Sequence, residues 1–279
     1  MTKLFAWVTP AFIQGSPADH TWVTTYDSRE KAYSSLKKVE NDGEDYWMCW
    51  GSFHKVGEPT EPIAMGQANL AVARCLVKSN ADSRDIPAAR GTIFKYGVDG
   101  VCHQLANQVL FSTGTAKTKP LTVKKARWYR VSSFLYGMYG RRQKVAWQQK
   151  IEHCAQQIIS GAPHEFSDAA RSKIIATGKN MEFDDFEEHA QDVLSDEPIL
   201  LAKLLELRSE VQAYIARDIP GFESPSAEML NAQNQHMMDQ AALLLGDEKF
   251  EQVFGIKVGE RIALVDPDIL NKRAQSVQN

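Results

Sequence analysis

The stretch Phe94 to Leu110, FKYGVDGVCHQLANQVL, constrains this chain more than any other. An apolar strand end runs into a turn punctuated by Gly97 and Gly100, and a helix follows that buries Val101, Leu105, Val109 and Leu110. Cys102 falls in the first turn of that helix. A thiol there lies among unpaired backbone N–H groups at the positive end of the helix dipole, and both favour the thiolate, the reactive form of cysteine. The glycines let the turn hold the thiol clear of the sheet, and Asp99 is placed to cap the helix.

Upstream, residues 3–13 and 20–27 read as strands joined by a turn at Ser16-Pro17-Ala18-Asp19. Helical spacing over Ser28 to Val39 and a turn at Asn41-Asp42-Gly43 lead to an aromatic strand at 46–56. A loop around EPTEPI, a small-residue helix at 66–79, a polar loop at 80–90 and a strand from Thr92 to Tyr96 complete the approach to Cys102. Residues 114–125 read as an exposed loop. From about 143 the character changes to helix, with candidates at 143–160, 166–178, 183–195, 197–217, 225–245 and 247–254. GERIALVDP, at 259–267, reads as a short strand. This pattern is α+β, with a first unit at 1–142 and a helical domain or extension at 143–279.

The 279 residues suffice for a substantial core, and 43% hydrophobic with 24% charged residues is ordinary for a soluble globular protein. No apolar run approaches the roughly 18 residues that cross a bilayer. The N-terminal MTKLFAWVTPAFIQGSPADH is broken by proline and glutamine and reads as a first strand, not a cleavable signal. The expected location is therefore cytoplasmic, or exported without a cleavable N-terminal signal. Cys49, Cys75, Cys102 and Cys154 form no CxxC pair, so the common structural zinc spacing is absent and a reducing compartment fits. The net charge of −3 conceals +9 over residues 1–150 and −12 over the rest. Opposite halves with such charges attract each other, or the first half meets an acidic partner.

Acyl transfer needs a nucleophile, a base and donors for an oxyanion. Cys102 is the candidate nucleophile, and its own N–H is a candidate donor. His20, in the alternating DHTWVTTYD, is the candidate base because imidazole exchanges protons near neutrality. A third polar group orients the imidazole, and His54 or Ser52 on the neighbouring strand can do so. The amides Gln104, Asn107 and Gln108 distinguish the cysteine helix from a plain apolar one. The plainer readings stay open: a cysteine beside Val101 and Leu105 also suits packed core, and His20 before Trp22 suits a satisfied strand histidine. His103 points elsewhere on the helix.

A histidine strand that precedes a cysteine helix resembles the circularly permuted branch of the papain-like, NlpC-type superfamily of cysteine hydrolases and acyltransferases. The resemblance covers residues 3–112. It implies a small antiparallel sheet packed on the cysteine-bearing helix, with Cys102 as nucleophile and His20 as base. It also implies a thioester acyl-enzyme passed to water or another acceptor. Thr21-Trp22 after His20 departs from the small residues usual there, and the helical half has no counterpart.

The resulting expectation is a cysteine hydrolase, peptidase- or amidase-like, or an acyltransferase acting on an amide, ester or thioester. Its expected partner is a peptide, cell-wall or acyl substrate. No dinucleotide or phosphate-loop motif is present, so no cofactor or metal is expected. The alternative is a non-enzymatic interaction module with a basic face and a helical docking half. The basic–aromatic run Lys117 to Lys144 has no recognised nucleic-acid motif and reads as a solvated basic face or a seat for the acidic half, so nucleic acid is not an expected partner. Acidic FDDFEEHAQD (183–192) reads as a solvated helix face, and His236-Met237-Met238 as amphipathic packing.

Overall fold

The structure, a computed structural model, describes residues 2–24, 46–47, 62–68, 96–114, 118–141, 183–216, 225–268 and 270. Strands β1 (Thr2–Pro10), β2 (Asp19–Thr24), β3 (Tyr46–Trp47) and β4 (Ala64–Ala68) form one antiparallel sheet in the order β3-β2-β1-β4. The β1–β2 hairpin runs in register from Phe5↔Thr24 to Pro10↔Asp19. Its connection is closed by Ala11 N–H donating to the Ala18 carbonyl at 2.8 Å. Phe12 and Gln14 take positive φ, 46° and 48°, a conformation that crowds any side chain bearing a Cβ.

Helix α1 (Cys102–Leu110) packs on β2, which gives the small sheet laid on a cysteine-bearing helix and an α+β fold. The cap is not Asp99. Val101 occupies that position, and Gln104 Oε1 accepts its N–H at 3.0 Å, so a side chain from inside the helix satisfies the orphan donor. Gly97 (φ +79°) is the residue the turn cannot replace: a Cβ there would lie 2.7 Å from Val265 Cγ1.

Helices α2 (Tyr129–Tyr136), α3 (Asp185–Val193), α4 (Pro198–Ala216), α5 (Ala227–Leu245) and α6 (Asp247–Phe254) complete the described elements. The four helices expected after residue 183 are therefore present, each within a few residues of its expected bounds. Their core extends into the first half: Phe134, Phe186, Leu230 and Phe254 share one buried cluster with Ile13, Ala18, Tyr96 and Val101. Met237 and Met238 are buried in it, as amphipathic packing requires.

Three expectations need correction. Residues 64–68 are strand, not the start of a 66–79 helix: pairing with β1 overrides the small-residue helical spacing of AMGQA. Residues 259–267 form no ladder. Their backbone bonds go to amide side chains of α5: Asn231 Oδ1 accepts from Leu264 N (3.1 Å) and Val265 N (2.9 Å), and Gln235 Oε1 from Ile262 N (2.7 Å). The aromatic–basic run divides: Lys119, Lys124, Lys125 and Arg127 stay exposed as a basic face, while Trp128, Tyr129, Tyr136, Tyr139 and Arg141 are buried in the core. Arg141 stacks on the Tyr136 ring, 4.4 Å from its centroid, and its guanidinium bonds backbone carbonyls of Leu135 and Val98.

The acidic segment keeps a solvated face at Glu187, Glu188, Gln191 and Asp192 and packs its other side. Asp184 caps α3 by accepting from Phe186 N (3.0 Å) and Glu187 N (3.2 Å), and Asp185 accepts from the buried Tyr129 hydroxyl at 2.7 Å. Buried Arg208 of α4 binds Asp184 (2.8 Å), Glu187 (2.9 Å) and the Ser133 carbonyl (3.1 Å). Lys119 from the basic run pairs with Glu188 at the surface.

Candidate functional site

Cys102 is the first residue of α1 and is half-buried on the wall of a pocket at the hairpin end of the sheet. Its enclosed space is about 10 Å³, room for a single water, and the rest opens to solvent. Three chain segments enclose it: the hairpin end, including Asp19 and His20; the turn and helix start from Tyr96 to His103; and Leu264.

The Cys102 thiol donates to the Asp19 carbonyl at 3.8 Å, a long contact suited to sulfur. Two backbone N–H groups, from Thr21 and His103, and the Thr21 hydroxyl are aimed so as to favour a sulfur anion. The Thr21 hydroxyl is buried and has no ordinary hydrogen-bond partner, which leaves its proton for that anion. Burial nevertheless outweighs these donors. With the Asp19 carboxylate adding repulsion, it pushes the Cys102 thiol from 9.0 up to about 11. The helix start therefore does not give a resting thiolate, as the sequence suggested, because three donors do not repay the lost solvation.

His20 is fully buried on β2, and its ring stacks on Trp22 with centroids 5.7 Å apart and planes 9° from parallel. Strand alternation assigns His20, Trp22 and Thr24 to one face of β2 and Asp19, Thr21 and Val23 to the other. The Thr21 side chain reaches the sulfur, so the Cys102 side of β2 is the Thr21 face. His20 thus borders the same pocket as Cys102 while its ring is turned to the opposite face. His54 and Ser52 lie outside the described residues.

His103, expected to point elsewhere, is drawn into the site. It is buried, its Nε2 lies 2.9 Å from the Asp19 carbonyl and its Nδ1 lies 2.7 Å from Ser132 Oγ. A carbonyl only accepts, so Nε2 carries the proton and Nδ1 accepts from the Ser132 hydroxyl, whose other acceptor within reach is the Tyr129 carbonyl at 2.9 Å. Burial pushes the imidazole from 6.5 down to about 4, which keeps it neutral. Both ring nitrogens are spent on structure. His103 ties the start of α1 to β2 and α2, and it fixes the carbonyl that also receives the Cys102 thiol.

The amides of α1 have a structural role too. Gln104, Asn107 and Gln108 donate in turn to the carbonyls of Gly137 (3.0 Å), Met138 (2.9 Å) and Tyr139 (2.8 Å). They lace the helix to the segment after α2 and do not face the pocket's chemistry. Their spacing of three, one and four matched a helix face, but sequence alone does not say what that face meets.

Among the described residues, no three His, Cys, Asp or Glu side chains converge as a metal ion requires, and no helix is long and apolar enough to cross a membrane. No family model, no curated protein and no solved structure matches the chain.

Proposed function

We propose that the chain is a thiol-dependent hydrolase or acyltransferase acting on an amide, ester or thioester, with Cys102 as nucleophile and His20 as proton acceptor. The observation that carries this reading is the placement of the Cys102 sulfur. It sits at the first residue of a helix, on a pocket that His20 also borders, with donors from Thr21 and His103 around it.

Because the thiol rests protonated, the chemistry is general-base attack, not attack by a pre-formed thiolate. The sulfur adds to the substrate carbonyl as its proton passes to the His20 imidazole, and the carbonyl π electrons move onto oxygen. Collapse of that oxyanion breaks the bond to the amine, alcohol or thiol, which takes the proton back from His20. The remaining thioester is attacked by water or another acceptor, whose proton goes to His20. The C–S bond then breaks, the product leaves, and the thiol recovers a proton. This role requires the His20 ring to leave its stack on Trp22 and reach the Cys102 face of β2 before the first step.

A second reading is a non-enzymatic interaction module, and two observations favour it. Burial suppresses the thiolate, and the helical half exposes Leu243 and Ile199, 88% and 74% accessible. The test is hydrolysis of p-nitrophenyl and aminoacyl amide substrates by the full chain, with Cys102→Ser and His20→Ala beside it. Turnover lost in both variants, with unchanged folding by circular dichroism, supports the hydrolase. Turnover that survives Cys102→Ser ends that reading. Turnover lost in Cys102→Ser and kept in His20→Ala removes His20 from the mechanism.

A further inference from the structure

Leu264 reaches the Cys102 pocket from a segment that belongs to neither the sheet nor a helix. Ile262, Ala263, Leu264 and Val265 are all buried, yet among the described residues their backbone joins no ladder. The N–H groups of Ile262, Leu264, Val265 and Asp266 each end on a side-chain oxygen: Gln235 Oε1 at 2.7 Å, Asn231 Oδ1 at 3.1 and 2.9 Å, and the Tyr96 hydroxyl at 3.1 Å. Carbonyls are held the same way. Asn231 Nδ2 donates to the Val265 carbonyl at 2.9 Å, and Ser16 Oγ donates to the Arg261 carbonyl at 2.7 Å. A ladder strand that leaves strips its neighbour of backbone partners. A segment gripped by side chains leaves every neighbouring element paired when it goes, so it can open locally.

The same segment ties together the two walls of the site. Ser16 and Gln14, which accepts from the Arg261 guanidinium at 3.2 Å, belong to the hairpin end. Tyr96 belongs to the glycine turn, where Val265 Cγ1 fills the space that a Gly97 side chain would need. Between these attachments Leu264 lines the pocket, and the enclosed space left beside Cys102 is about 10 Å³, enough for one water and too little for an acyl group. The hairpin end is also strained, with Phe12 and Gln14 at φ 46° and 48°. Gln14 is the residue that Arg261 grips, so the strained turn and the buried segment brace each other. The segment begins at an exposed turn, in which Glu260 N–H donates to the Lys257 carbonyl at 3.2 Å. Gly259 in that turn takes φ +81° and has nothing within 4 Å of where a Cβ would lie, so a rotation there displaces no packed group.

We infer that residues 260–266 are a strap that shuts the Cys102 site, and that it has to swing away about Gly259 before anything larger than a water can be seated beside the sulfur. Its purpose rests on the reading of Cys102 as nucleophile: the strapped form is the resting state, and release of the strap admits the acyl substrate.

The test follows two signals in the full chain. One is amide hydrogen exchange of the 262–266 peptide, with the α2 peptide as reference; the other is iodoacetamide labelling of Cys102 at fixed pH, relative to the same peptide in urea. The 262–266 amides are expected to exchange faster than those of α2. Asn231→Ala removes three of the strap's hydrogen bonds, and exchange at 262–266 and labelling of Cys102 are expected to rise together by roughly tenfold or more while α2 stays unchanged. Tyr96→Phe, which deletes one hydroxyl, is the second variant if Asn231→Ala prevents folding, with a smaller rise in both signals. Exchange at 262–266 that occurs only together with α2 overturns the inference, as does either signal moving without the other, or neither moving in variants that fold. Turnover plays no part in this readout. Cys102-dependent turnover with labelling that ignores the strap leaves the hydrolase standing without it, and labelling that follows the strap in a chain without turnover leaves a strap over an idle thiol.

Discussion

The sharpest expectation concerns how Cys102 reacts as pH rises. Burial lifts its thiol from 9.0 to about 11, so its thiolate population near neutrality is about a hundredfold below that of an unburied cysteine. Alkylation by iodoacetamide, which consumes the thiolate, should therefore start slow and climb about tenfold per pH unit to roughly pH 10. Thr21 supplies a direct check on the cause. Thr21→Val removes a hydroxyl donor to the anion at nearly constant volume, and a hydrogen bond to a charged group contributes about 1.5–3 kcal/mol, so the profile should move up by about one pH unit or more. Asp19→Asn acts in the opposite direction by removing a repelling charge. The assay is pseudo-first-order labelling across pH, read at the Cys102 peptide against the same peptide in urea. A rate that levels off below about pH 8, the range of an activated thiolate, would refute the argument that burial dominates. The pocket would then have to stabilise the anion in a way these donors do not explain.

Other outcomes follow from the same geometry. His103 is neutral in the fold, with its imidazole lowered from 6.5 to about 4. The unfolded chain therefore takes up a proton that the folded one refuses. Stability is fully present above about pH 6.5 and declines by about 3 kcal/mol as pH falls to about 4. Urea unfolding across that window should show a smaller decline in His103→Gln, and an equal decline would remove His103 as the source. Arg208→Ala removes a buried guanidinium that bonds the Ser133 carbonyl and covers the Phe186 ring while its partners Asp184 and Glu187 keep access to water, and the expected cost is about 1–3 kcal/mol by urea unfolding. A loss under about 1 kcal/mol would class the cluster with ordinary surface pairs. Asn231→Ala leaves the Leu264 and Val265 N–H groups without their acceptor, with an expected cost of about 1–3 kcal/mol and faster proteolysis near 262–265. Unchanged proteolysis there would show that the segment is held by its apolar contacts alone.

What the sequence disclosed depended on how local each signal was. The 3.6-residue spacing from Asp185 onward lies within single elements, and α3 to α6 appear where it places them. Strands β1 and β2 were legible for the same reason, with alternation and an intervening turn in one stretch. Segments whose conformation is decided by distant partners were not. AMGQA pairs with β1, and IALV bonds to α5 amides more than twenty-five residues away. The site divides along the same line. Cys102 as the helix-starting residue was readable from Gly97, Gly100 and the spacing of Val101, Leu105 and Val109. The groups closed around its thiol come from the hairpin end, Ile13, Ala18 and Asp19, and from distant Leu264, which its neighbours in sequence do not announce. His103 was missed because the signal for it is Ser132, an undistinguished serine in another helix.

The meeting of two side chains at one carbonyl bears on how such a site would operate. Asp19 O receives both the Cys102 thiol and His103 Nε2, and Asp19 is bonded in sequence to His20. His103 therefore fixes the peptide from which the proposed base projects, and at neutral pH it does so without competing for the proton, since its own affinity is too low. Were His103 the base instead, it would have to surrender Asp19 O or Ser132 and would loosen the strand that carries His20. Replacing Ser132 by alanine separates the two cases. If His103 only positions, Ser132→Ala should reduce turnover while the acid limb of its pH profile stays in place. If His103 exchanges protons, freeing Nδ1 of its donor changes the ring's affinity and the acid limb shifts with it.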